Sequence, residues 1–75
     1  MNIEHLVTMA NDIGNFFDSE MGAVEAPKGI ALHISRYWDP RMRGAIIRHV
    51  AGGGAGLHAS ALAAVKLLPE PPVRN

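Results

Sequence analysis

The stretch Tyr37-Trp38-Asp39-Pro40-Arg41-Met42-Arg43 constrains this chain more than any other, because it fixes where one helix must stop and the next begin. The Asp39 carboxylate is suited to accept hydrogen bonds from the unpaired amides of a first helical turn, and Pro40 at the first helical position loses nothing by lacking an N–H. The same proline disfavours α geometry at Asp39, so the preceding helix is expected to end near Trp38, followed by a sharp corner. Arg41 and Arg43 then fall in the first turn of the new helix, where the macrodipole disfavours each cation by about 0.3–1 kcal/mol. Helix stability therefore does not account for these arginines. The corner also holds the only Trp and the only Tyr of the chain, which makes it the expected place of contact with another molecule.

With 75 residues there is room for one domain, expected over residues 1–68, with residues 69–75 as a flexible Pro-rich tail. A chain this short buries only about 60% of the surface its unfolded form exposes, so its core is thin and a partner is expected. There is no cysteine, which excludes both a disulfide framework and a thiolate metal site, and the cytoplasm is the natural setting. The opening Met1-Asn2-Ile3-Glu4-His5 has no basic region ahead of an apolar run and does not read as a secretory signal. No apolar run approaches the roughly 20 residues of a membrane span, so no membrane role is expected. Charge balances overall but not locally. Glu4, Asp12, Asp18, Glu20 and Glu25 give the first 25 residues a charge of −5 with no Lys or Arg, whereas Lys28, Arg36, Arg41, Arg43 and Arg48 against Asp39 give residues 26–48 a charge of +4. Either an acidic helix lies beside basic ones, with surface pairs worth about 0–1 kcal/mol each, or a basic face is kept for a partner.

The fold expected is all-α, a small bundle of three to four short helices. Asn2 caps a first helix from Ile3 to about Ser19. Spacing residues about 100° apart places Ile3, Leu6, Val7, Ala10, Ile13, Gly14 and Phe17 on its core face, with Thr8, Asn11, Asp12, Asn15 and Asp18 opposite. Met9 and Phe16 sit at the margin of the stripe beside His5, as core edge or as an exposed patch. Gly22 breaks that helix, and a second runs from Pro27 to Trp38. Ile30, Ala31, Ile34, Tyr37 and Trp38 share its apolar face, while Lys28, Leu32, Ser35 and Arg36 share the other.

A third helix runs from Pro40 to about Ala51 and ends in Gly52-Gly53-Gly54, where at least one glycine takes the left-handed conformation of a C-cap. Met42, Ile46, Ile47 and Val50 form its apolar face. Arg43 projects from within that face and is expected to lay its methylenes across the core and reach a carboxylate at the rim; Arg41 and Arg48 lie on the opposite side. The fourth helix, about Ala59 to Leu68, is apolar on nearly every side except Ser60 and Lys66, with Leu67 nearly opposite Leu62, Val65, Ala61 and Leu68. Such a helix is either enclosed by its own domain or covered by another chain.

The glycine cluster invites comparison with phosphate-binding loops, but it lacks the GxxxxGK[ST] pattern, a preceding strand and a suitably spaced acidic residue. His5, His33, His49 and His58 include no HxxxH or HExxH pair, so a metal site is not expected. No serine or threonine stands in a nucleophile context, and catalysis by this chain is not expected. Two helices joined at a corner with arginines opening the second loosely mimic a helix-turn-helix, which makes a small nucleic-acid-binding regulator the alternative reading. The neutral net charge and a pI near 6.9 oppose it, since displacing counterions from DNA takes several cations, and no nucleic-acid partner is expected.

The run His33-Ile34-Ser35-Arg36-Tyr37-Trp38-Asp39-Pro40-Arg41-Met42-Arg43, followed by a short apolar helix, a glycine cluster and an Ala/Leu helix, resembles the small delta subunit of soluble, NAD-dependent, molybdenum-containing formate dehydrogenases. The opening Leu6-Val7-Thr8-Met9-Ala10-Asn11-Asp12-Ile13-Gly14-Asn15-Phe16-Phe17 resembles that family's first helix. The likeness covers nearly the whole chain, and its specific part is aromatic-Trp-Asp-Pro-Arg-Met-Arg. Tyr37 stands where a Phe is expected, and His58-Ala59 replaces an Asp-Pro-like start of the last helix. The resemblance implies a non-catalytic accessory subunit that associates with the large catalytic subunit and supports assembly or stability of the complex. It also implies that molybdopterin guanine dinucleotide, iron–sulfur clusters and flavin (FMN) reside in partner chains. By match to the motif it assigns partner binding to Tyr37, Trp38, Asp39, Pro40, Arg41, Met42 and Arg43; the alternative is that Tyr37, Trp38 and Met42 are the core of the corner, with Arg41 the clearest contact residue. Self-association is the other contact open to the isolated chain.

Overall fold

The Asn2 side chain accepts a hydrogen bond from the Glu4 amide at 2.9 Å, and from that cap α1 runs Ile3–Met21. The structure, a computed structural model, describes residues 2–69; from residue 70 onward the expected tail lies outside the described residues. α1 continues two residues past Ser19 and stops at Gly22, whose φ of 80° takes the backbone out of the helix while its N–H still reaches the Asp18 carbonyl at 3.0 Å. α2 spans Ala26–Tyr37, one residue ahead of the expected start, because Glu25 occupies the cap position and Pro27 sits within the first turn. α3 spans Pro40–Ala51 as expected, with the Asp39 carboxylate accepting from the Met42 amide at 3.0 Å. α4 is shorter than expected, Ala59–Lys66. Leu67 and Leu68 instead close tight turns on the Ala64 and Val65 carbonyls, each at 3.0 Å. The described residues contain no strand, and the chain is an all-α bundle.

α4 packs against all three other helices, and α2 packs on both α1 and α4. The fourth helix is thus enclosed by its own domain rather than left for another chain. Its length explains how so few residues manage this: an eight-residue helix rich in alanine needs little cover, and small side chains let its neighbours approach closely. Ala61, Ala64, Val65 and Leu68 are buried there with Leu6, Ala10, Ala26, Ile30, Ile34, Trp38 and Ile46. Leu67, on the far side, is exposed.

The first helix corrects one expectation. Asn11 and Asp18 do not face solvent opposite the core; with Gly14 between them they form the stripe on which α4 and its lead-in rest. Asn11 donates from Nδ2 to the Gly56 carbonyl and accepts at Oδ1 from the His58 amide, both at 2.9 Å. Ser60, buried in the first turn of α4, donates its hydroxyl to the Asp18 carboxylate. His58 provides no side-chain cap, so α1 supplies from outside what the missing Asp-Pro start would have supplied locally, including a negative charge at the positive end of α4. A wheel drawn for one core face fails because α1 has neighbours on two sides. Asn11→Ala is expected to lower stability by about 1–3 kcal/mol, two hydrogen bonds at 0.5–1.5 each, as a shift of the urea midpoint with unchanged m.

Candidate partner-binding surface

Only Trp38 and Asp39 separate α2 from α3, both in extended conformation with φ, ψ of −90°, 137° and −74°, 168°. Pro40 imposes that geometry on Asp39, and beyond this junction α2 and α3 scarcely touch. The extended step turns the Trp38 indole inward, where it is 4% exposed. Trp38 is a core residue and presents no surface. Met42 is half-buried and packs on the same core, while Asp39 and Pro40 are exposed and build the cap.

Arg43 is half-buried and reaches carbonyls rather than the expected carboxylate. Its Nη1 donates to the Trp38 carbonyl and, more distantly, to that of Ser35 at 3.5 Å. These are the last carbonyls of α2, which have no partner within the helix and carry the negative end of its dipole. The cation that is unfavourable in the first turn of α3 is therefore favourable at the end of α2, and it ties the two helices together. Arg41 has no such explanation. It is exposed, and the one salt bridge among the described residues is Lys28 to Glu25 at 3.6 Å. Arg36 and Arg48 are also exposed, and Leu32 stands 62% exposed between Lys28 and Arg36 on the outer face of α2.

Tyr37, expected on the apolar face of α2, is 70% exposed. It ends the helix just where the chain departs for α3, so nothing returns to cover it. Its ring instead lies 4.7 Å from that of His33 one turn earlier, His33 lies 6.2 Å from Phe17, and Phe17 meets Phe16 edge-on at 5.2 Å. The four rings form a row across α1 and α2 that sequence reasoning missed. The spacing of His33 and Tyr37 by one helical turn was a signal; the link to Phe17 is tertiary and left none. Phe17 comes close to α2 because Gly29 faces it, and a Cβ at Gly29 would lie 2.7 Å from the ring. The two residues at the margin of the α1 stripe divide: Met9 packs against the core, while Phe16 is 60% exposed.

The remaining histidines serve loops or solvent. His49 donates from Nε2 to the Ala55 carbonyl at 2.8 Å, while His5 and His58 are exposed. Among the described residues no group of three or more His, Cys, Asp or Glu is placed to hold a metal ion, and no helix is long and apolar enough to cross a membrane.

No curated protein and no solved structure matches the chain. The family model for the NADH-dependent formate dehydrogenase delta subunit FdsD matches residues 5–65, a span from the first turn of α1 to the last turn of α4 that includes the whole α2–α3 corner. The chain belongs to the FdsD family, the delta subunits of NADH-dependent formate dehydrogenase.

Proposed function

We propose that the chain is a non-catalytic accessory subunit that binds the large catalytic subunit of the dehydrogenase in the cytoplasm and supports assembly or stability of the complex. The observation that carries this is family membership over residues 5–65, which favours it over the nucleic-acid-binding alternative. The redox groups, molybdopterin guanine dinucleotide, iron–sulfur clusters and FMN, belong to partner chains in this reading. The absence of cysteine from the sequence supports that placement for the clusters, whose usual ligands are thiolates.

The corner is the proposed contact. Tyr37 and Arg41 reach outward, and Trp38, Asp39, Pro40, Met42 and Arg43 hold them in place through burial, capping and the bond to the α2 carbonyls. A rigid corner loses little conformational entropy on binding, and Tyr and Arg are the residue types that most often carry binding energy at protein interfaces. Arg41→Glu tests it. The substitution places an anion in a first helical turn, where it is favoured, so helicity by circular dichroism is expected to hold. Co-purification with the large subunit is expected to fall severalfold, and unaltered co-purification removes Arg41 from the interface.

A further inference from the structure

We infer that the groove between α1 and α2, walled by Phe16, Phe17 and His33 with Asp12 at its rim, receives an arginine side chain of a partner protein. The groove has a volume of about 300 Å³ and is completed by Ile13. That is the lower end of the range for small-ligand sites, in a groove open to solvent along one side and large enough for one long side chain. Its walls are aromatic, and ring faces attract cations, the planar guanidinium above all. No lysine or arginine lines it.

Charge decides the occupant. The first 25 residues contain five carboxylates and no Lys or Arg. Two of these carboxylates are engaged, Asp18 by Ser60 and Glu25 by Lys28. Asp12 is exposed and has no hydrogen-bond or ion-pair partner among the described residues, yet it lines the groove one helical turn from Phe16. Aromatic walls with a free carboxylate at the edge match a guanidinium on an aliphatic stem and oppose an anion. The ring row then leads through His33 to Tyr37, so the groove adjoins the corner. The inference rests on the subunit reading only for which chain supplies the arginine.

The test begins with the isolated full chain, isotope-labelled for NMR and titrated with Nα-acetyl-arginine methylamide and with its norleucine counterpart. The arginine derivative is expected to give saturable shifts at Asp12, Phe16, Phe17 and His33, with norleucine severalfold weaker. Asp12→Asn is expected to weaken arginine binding by about two- to fivefold, the range of an exposed ion pair. Equal binding of norleucine, or no effect of Asp12→Asn, overturns the proposal. So does a homodimer that Asp12→Lys dissolves, which gives the groove to a second copy.

In the co-expressed enzyme, Asp12→Lys and Phe16→Ser are compared with Arg41→Glu, all at exposed positions. Loss of co-purification with the first two supports the groove whatever Arg41→Glu does. Loss with Arg41→Glu alone overturns the groove and leaves the corner reading intact. Loss with Phe16→Ser but not Asp12→Lys overturns an arginine as the occupant.

Discussion

Trp38→Ala is expected to remove about 3–5 kcal/mol of stability, the usual cost of truncating a buried large aromatic. Domains of this size hold roughly 4–11 kcal/mol in total, so the loss is a large share of the whole and the variant is expected to melt far below the parent chain. The indole is 4% exposed, and it sits where α2 ends, so its loss opens a cavity against the core formed by Ile30, Ile34, Ile46 and their neighbours. The Trp38 carbonyl also accepts from Arg43, and a collapsed corner releases that bond. Far-UV circular dichroism during a thermal scan measures the effect, with about 4–8 °C lost per kcal/mol in a domain this small. A midpoint within about 5 °C of the parent chain would place the indole outside the core. Trp38→Phe keeps most of the apolar volume and is expected to remain folded. Read beside Arg41→Glu, the pair separates two ways of losing a partner: through loss of the fold that positions the corner, and through loss of a side chain that reaches across.

What was readable in the sequence follows the range of the interactions. Asn2, Gly22 and the Asp39-Pro40 pair set helix ends through contacts with residues two to four positions away, and these ends are written in the local chain. α3 is found where expected because Pro40 opens it and Gly52 follows its last residue. The contributions of Asn11, Asp18 and Arg43 were not readable. Asn11 meets Gly56 and His58 across 45 and 47 residues, and no spacing rule links them. The helical wheel sets Arg43 within an apolar face, but its acceptors are backbone carbonyls, which every residue possesses and no sequence pattern marks. Tyr37 misled for a related reason: a helical wheel assigns faces as though the helix continued, and Tyr37 is its last residue. Of the proposed contact surface, Arg41 stands out in the sequence because its position opposes the helix dipole, whereas the row from Phe16 to Tyr37 requires two helices to be laid side by side.

Gly54→Ala is expected to cost at least about 1–2 kcal/mol, more than Ala at the neighbouring Gly52. Gly54 has φ +68°, and a Cβ there would lie 2.5 Å from the Leu62 Cδ1 on α4. The left-handed conformation costs an L-residue about 1–2 kcal/mol, and the end of the half-buried Leu62 side chain must also swing aside. Gly52 has φ −88°, and its added methyl would meet only the His49 and Arg48 carbonyls at 3.6 and 3.7 Å. Gly52→Ala is therefore expected to be neutral or slightly stabilising through the unfolded state. The two glycines differ because Gly54 closes the loop: its N–H donates to the His49 carbonyl at 2.9 Å, and its carbonyl accepts from Leu57 at 3.1 Å. That closure sets where Gly56 and His58 meet Asn11, so Gly54→Ala and Asn11→Ala act on one connection. Their combined loss in urea denaturation is expected to fall short of the sum of the single losses by about 0.5 kcal/mol or more, because the first change already frees what the second would release. Strict additivity would mean that the loop and the Asn11 clamp hold α4 independently, and that α4 keeps its seat on α1 when either one fails.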